Sequence, residues 1–137
     1  VEWYAGWQNN APTSDLSSED LRVREKMWQL NKIALDFFNT YIPFWDMTAA
    51  NELVAGDNDY GFAKSGELYL VYLRDGGSAS IDLSGTDGDY DVHWFDPRHG
   101  GELQSTAISR VNGGGEANLG PPPSSPDQDW AILLRRR

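Results

Sequence analysis

One stretch limits the folds open to this chain more than any other: Tyr90 to Gly101, reading Tyr-Asp-Val-His-Trp-Phe-Asp-Pro-Arg-His-Gly-Gly. Tyr90, Val92 and Trp94 alternate with Asp91, His93 and Phe95, the two-residue period of a strand with one buried face. Asp96-Pro97 ends it, because proline lacks an N–H, fixes its own φ and restricts the residue before it. Gly100-Gly101 then lets the chain reverse so that a second strand can return. A strand so aromatic and so sharply ended is expected at the centre of a β-sandwich, with strands from before and after it packing on it.

The flanking sequence repeats the period. Tyr60 to Lys64, Leu68 to Leu73, Ala79 to Leu83, Leu103 to Val111, Ala117 to Leu119 and Trp130 to Leu134 all read as strands. Ser65-Gly66, Asp75-Gly76-Gly77, Ser84 to Gly88 and Gly113-Gly114-Gly115 separate them with turn residues. Leu103 to Val111 is the expected return partner of the Tyr90 strand, and Pro121-Pro122-Pro123 with Pro126 an extended connection. The pattern predicts an antiparallel β-sandwich or jelly roll of about seven or eight strands.

Before Asp57 the period is 3.6 instead. Ser17 stands as N-cap with Asp20 at the third helical position, and Leu16 and Leu21 are placed as a hydrophobic staple. Val23, Met27, Leu30, Ala34, Phe37, Phe38 and Tyr41 then form an apolar stripe on a helix running to about Tyr41. Trp28 and Leu35 lie on a second face, as expected of a helix wedged between two partners. Ile42-Pro43 stops this helix, and a short second one is predicted from Asp46 or Thr48 through Leu53, ended at Gly56. The fold class is therefore mainly β, preceded by one long N-terminal helix. The units divide as residues 1–55 and 56–137, with Asp57-Asn58-Asp59 as the boundary turn.

Chemistry is sparser than architecture. The 137 residues hold no cysteine, which excludes disulfides, thiolate metal sites and a Cys nucleophile. A net charge of −10 repels phosphate backbones and anionic lipid, so neither nucleic acid nor membrane is an expected partner. No apolar run approaches the ~20 residues that span a bilayer. Arg135-Arg136-Arg137 reads as a solvated terminus, and a start at Val1 without Met or a signal pattern as a processed or excised segment. Asp87, Asp89 and Asp91 alternate as calcium ligands can, but Val92 sits where an EF-hand loop needs glycine, so a solvated face is the expectation. The same holds for Asp57 and Asp59. No metal or other cofactor is implied. His93 and His99, the only histidines, belong to no His-Glu-x-x-His helix, and there is no Gly-x-Ser-x-Gly elbow.

Six tryptophans are the other resource. Trp28, Trp45, Trp94 and Trp130 lie in apolar patterns and are expected in core or interface. Trp3 and Trp7, with Glu2 beside them, suit a sugar-binding cleft, where aromatic faces stack on sugars and a carboxylate binds hydroxyls. Retaining hydrolysis by Glu2 would need a second carboxylate placed opposite it. Pro123-Ser-Ser-Pro126 reads as a rigid spacer.

Several segments together resemble a known family. Asp15 to Trp28, Ala34-Leu-Asp-Phe-Phe and Ile42-Pro-Phe-Trp-Asp-Met resemble the last helix and exit of the barrel in apiosidase-like glycoside hydrolases. Tyr60 to Leu73, Trp94-Phe-Asp-Pro-Arg-His-Gly-Gly and Asp129-Trp-Ala-Ile-Leu-Leu are similar to the C-terminal domain of those enzymes, called a "putative collagen-binding domain of a collagenase". The resemblance implies a (β/α)8 barrel whose tail is Val1 to about Val54, followed by an appended β-sandwich. Catalytic residues would then lie upstream of Val1, none in this segment, with Glu2 at most lining the cleft. It further implies a non-catalytic accessory domain packed on the catalytic barrel of the same chain, in a secreted, periplasmic or cell-surface protein. A polysaccharide- or collagen-binding module is the alternative, its platform drawn from Trp3, Trp7, Tyr90 or Trp94. An autonomous hydrolase using Glu2 and an aspartate is the weaker one.

Overall fold

The structure is a computed structural model that describes residues 21–137. A 3-10 turn over Leu21–Arg24 leads into helix α1, Glu25–Tyr41. Its sheet-facing side carries Ile33, Phe37, Phe38 and Tyr41, of which Phe37 is buried. The helix ends where the Ile42 N–H reaches Phe38 O at 3.0 Å and Ile42 turns extended before Pro43, as proline demands of its predecessor. The expected cap at Ser17 and the staple residue Leu16 lie outside the described residues.

After Pro43 there is no second helix. Phe44–Asp46 and Asn51–Leu53 make single 3-10 turns, and strand β1, Thr48–Ala49, lies between them. The reason is a competing partner. Thr48 and Ala49 pair with Ala63 and Phe62, and the Ala50 N–H donates to Gly61 O at 2.9 Å, so the backbone is satisfied by a neighbouring strand. Gly61 permits this approach, since a Cβ there would stand 2.3 Å from Ala50 O.

Strands β2 (Asp59–Lys64), β3 (Leu68–Leu73), β4 (Ala79–Asp82), β5 (Asp89–Phe95), β6 (Arg110–Asn112), β7 (Glu116–Gly120) and β8 (Trp130–Arg136) follow. They form a six-stranded sheet in the order β1-β2-β3-β8-β5-β6 and a two-stranded sheet of β4 and β7. Every pairing is antiparallel. Among the described residues the fold is thus mainly β, eight strands in two antiparallel sheets preceded by a helix.

The Tyr90 strand, β5, lies between β8 and the edge strand β6, with Tyr90, Val92 and Trp94 buried between the two sheets as expected. One detail departs from expectation: Leu103 to Val111 is not a continuous return strand. Gln104 exchanges two backbone bonds with Trp94, at 2.7 and 2.8 Å, and regular pairing resumes only at Arg110. Between them Ile108 turns its side chain onto the core.

The large sheet carries a core on each face. Tyr69, Val71, Leu73, Tyr90, Val92, Trp94, Trp130, Ile132 and Leu134 meet Ala79, Ile81, Leu83, Ala117 and Leu119 of the small sheet. Leu68, Leu70, Phe95, Ala131 and Leu133 meet Phe37, Ile42 and Met47 on the other side. Three layers result: helix, six-stranded sheet, two-stranded sheet. This explains why the first five residues of β8 read Trp-Ala-Ile-Leu-Leu without a polar side chain, since both faces are covered there.

Candidate functional site

The turn after β5 is built on one carboxylate. Asp96 Oδ1 accepts from the Arg98 backbone N–H and from Arg98 Nε, both at 2.9 Å. Its Oδ2 accepts from Arg98 Nη2 at 3.1 Å and sits 2.9 Å from His99 Nδ1. The Gly100 N–H closes the turn on Asp96 O at 2.9 Å. Arg98 Nε also stands 3.5 Å from Asp129 Oδ1, and its guanidinium lies 5.3 Å from the centroid of the Trp130 ring. Asp129 in turn accepts from the Tyr72 hydroxyl at 3.0 Å. The cluster ties the end of β5 to the start of β8 and to β3.

Electrostatics follow from that geometry. Burial pushes the Asp96 carboxyl upward, but the hydrogen bonds from Arg98 and His99 outweigh it and hold it at about 2. A carboxylate so committed is a poor proton acceptor; it acts as an anchor. Tyr72 is raised by burial and by its bond to Asp129. Asp59 is raised by burial and by the neighbouring charge of Asp75.

Several grooves flank the helix, and two of them bear on function. One, of about 1250 Å³, runs between the N-terminal half of α1 and the turns holding Arg98, His99, Gln128 and Asp129, and is lined by charged and amide side chains such as Glu25, Lys26 and Gln29. The other, of about 630 Å³, lies between the C-terminal half of α1 and β2–β3. Leu35, Phe38, Phe44, Tyr60, Phe62 and Tyr72 line it, and none of its lining residues is charged. Leu35 is 61 % exposed and the adjoining Trp45 72 %.

The residues singled out in the sequence fall in different places. Glu2, Trp3 and Trp7 lie outside the described residues. Trp94 is 0 % exposed and cannot serve as a ligand platform. It faces the small sheet, edge-on to Trp130 at 6.1 Å, because the β5 alternation turns Tyr90, Val92 and Trp94 inward together. Tyr90 is equally buried, its hydroxyl 2.7 Å from Thr86 Oγ1. Trp130 belongs to the core, whereas Trp45 stands in the open and Trp28 is partly exposed on α1.

The Asp87-Asp89-Asp91 series meets the terminal arginines. Arg136 Nη2 reaches Asp87 at 3.2 Å, Arg137 Nε reaches Asp91 at 3.3 Å, and Asn112 donates to Asp89 at 3.0 Å. Arg135 donates to Tyr41 O at 3.2 Å. The arginine run is exposed, as expected of a solvated terminus, and its side chains also reach β5 and α1. Among the described residues no three His, Asp or Glu side chains converge as a metal site would require. Sequence reasoning missed Asp129 and Tyr72 as partners of the Asp-Pro-Arg turn. No local signal points to them, because the contact depends on β8 lying between β3 and β5.

This arrangement defines a class: a β-sandwich module with a helix laid on its large sheet, offering surfaces and grooves around a buried aromatic core. Residues 46–135 match the sequence profile of the family described as "Putative collagen-binding domain of a collagenase", and the chain belongs to that family. No curated protein sequence matches it. Among solved structures it is similar to one titled "Glycoside hydrolase", at 14% identity and a TM-score of 0.68, over 94% of this chain and 30% of that one. A glycoside hydrolase family 5 protein from Bacteroides vulgatus ATCC 8482 is similar at 18% identity and a TM-score of 0.65, over 81% of this chain and 24% of that one. The chain thus spans less than a third of the length of the glycoside hydrolases it matches.

Proposed function

We propose that the chain is a non-catalytic accessory domain of a glycoside hydrolase, packing on its catalytic barrel and stabilising it. The observation that carries this reading is the extent of the fold match. The family profile begins at residue 46, past α1, yet a match over 94% of the chain leaves too little out to omit that helix. Helix and sandwich therefore recur together within a chain more than three times the size of the matched part. The chemistry agrees. The heavily hydrogen-bonded carboxylate of Asp96 is spent on Arg98 and His99, and Asp129 is spent on Arg98 and Tyr72.

The test is turnover. The purified chain is expected to release no aglycone from aryl glycosides, and measurable hydrolysis would instead establish an autonomous enzyme and send attention to Glu2. The same proposal extends to location: a secreted, periplasmic or cell-surface protein, where polysaccharide is met.

The family description favours a second reading, a module that binds collagen or polysaccharide. Its platform would rest on Trp3 and Trp7, since Trp94 is enclosed. Pull-down on fibrillar collagen and on insoluble polysaccharide, repeated with Trp3→Ala and Trp7→Ala, separates the two ligands. Retention unaffected by either substitution would rule out that platform.

A further inference from the structure

We propose that the uncharged groove between α1 and β2 is the seat of the glycoside-hydrolase part of the longer chain, which fills it with apolar side chains. The inference rests on the accessory-domain reading and adds where the contact is made and by what chemistry.

The groove is the outer end of a core. Phe37, buried and stacked on Phe95 at 4.3 Å, meets Phe38 edge-on at 5.9 Å. Phe38 meets Phe44 at 6.3 Å, and Phe44 meets Trp45 at 5.2 Å. Across this one aromatic series exposure runs from 5 % at Phe37 to 72 % at Trp45. Tyr60 extends the opposite wall, 6.4 Å from Tyr72. The second core therefore opens onto the surface through the groove, as a core does where an outer layer is absent. Clustered exposed aromatics of this kind mark a contact surface.

Charge narrows the occupant. The chain carries −10 overall, yet no Asp, Glu, Lys or Arg lines this groove. Contacts that form and separate keep charged, hydrated rims, while permanent ones resemble a core cut in half. A permanent apolar neighbour fits best, and the fold match supplies one. It retains α1, which makes one wall of the groove, inside a chain whose remaining 70 % lies elsewhere. A second copy of this chain would cover the face too, but would leave the recurrence of α1 in that longer chain unexplained.

The test compares the chain alone with the chain expressed together with the coding sequence that adjoins it. The first readout is acrylamide quenching assigned to Trp45 by difference against Trp45→Phe; the second is hydrogen exchange of β2. In the longer protein Trp45 quenching is expected to fall several-fold and β2 exchange to slow. Leu35→Asp is expected to lower the Tm of the longer protein while leaving that of the chain alone unchanged. A longer protein with a glycoside-hydrolase part in which Trp45 stays fully quenchable overturns the docking and leaves the accessory reading intact. An adjoining sequence without such a part overturns both. Concentration-dependent protection of Trp45 in either form, abolished by Leu35→Asp, would assign the groove to a second copy and overturn the proposal as well.

Discussion

At the scale of single residues, Asp96 is the group, among the described residues, whose ionisation the fold feels most. Its carboxyl stands at about 2 when folded against an ordinary value of 3.8, a depressed carboxylate. The stabilisation it brings is complete above the ordinary value and drains away as pH falls through the folded one. The side chain is only 13% exposed, so screening by water is limited. The shift corresponds to about 2 kcal/mol at neutral pH. Asp96→Asn should remove that amount at pH 7 and flatten the loss of stability between pH 4 and 2, measured by urea unfolding across that range. A variant as acid-sensitive as the parent would place the effect elsewhere. Arg98→Lys keeps the charge but loses the two-pronged bond to Asp96, and the packing on Trp130, so it should cost about 1–2 kcal/mol. Asp-Pro in the sequence shows that the strand must stop here. That the following Arg reaches Asp129 is not legible, because a contact between distant segments leaves no periodic trace.

The elements divide by how much of their logic is local. Helix α1 was legible as a helix from its stripe and its Pro43 stop, and β2, β3, β4, β5 and β8 from alternation and turn residues. Where Thr48–Ala49 joins β2 in place of a helix, a neighbouring strand outbid local preference. Leu103 to Ser109 departs the other way, pairing only at Gln104 and at Ser109, which takes the Val92 N–H. The stripe on α1 also overstated burial. Met27 and Leu30 fall on it yet are 41 % and 37 % exposed, while Phe37 is enclosed. Phe37→Ala should therefore cost about 3 kcal/mol, through a lost ring and the cavity left against Phe95. Leu35→Ala, on the open face, should change the stability of the chain by less than about 0.5 kcal/mol. Urea melts of the two variants decide it. Equal costs would mean that the open face is already covered in the free chain.

For the whole molecule, the decisive feature is that the strands β3, β5 and β8 each serve two cores. β8 sends Trp130, Ile132 and Leu134 into the sandwich, and Ala131 and Leu133 toward the helix. Arg135, Arg136 and Arg137 then fasten its end to α1, to the β2–β3 turn and to β5. A sheet hydrogen-bonded along its centre cannot lose one face and keep the other in register, because a strand that leaves takes both sets of side chains with it. Helix and sandwich should accordingly melt as one unit, although the sequence changes period between them. Leu133→Ala is the sharpest probe. It touches only the helix-side core, and by the cavity rule it should cost about 3 kcal/mol. Followed by helical circular dichroism at 222 nm and by the near-ultraviolet signal of the buried Trp94–Trp130 pair, its two transitions should still coincide. If the helical signal is lost first, with the tryptophan pair intact to higher temperature, α1 is a separately melting layer. The sandwich would then stand on the core between its two sheets alone.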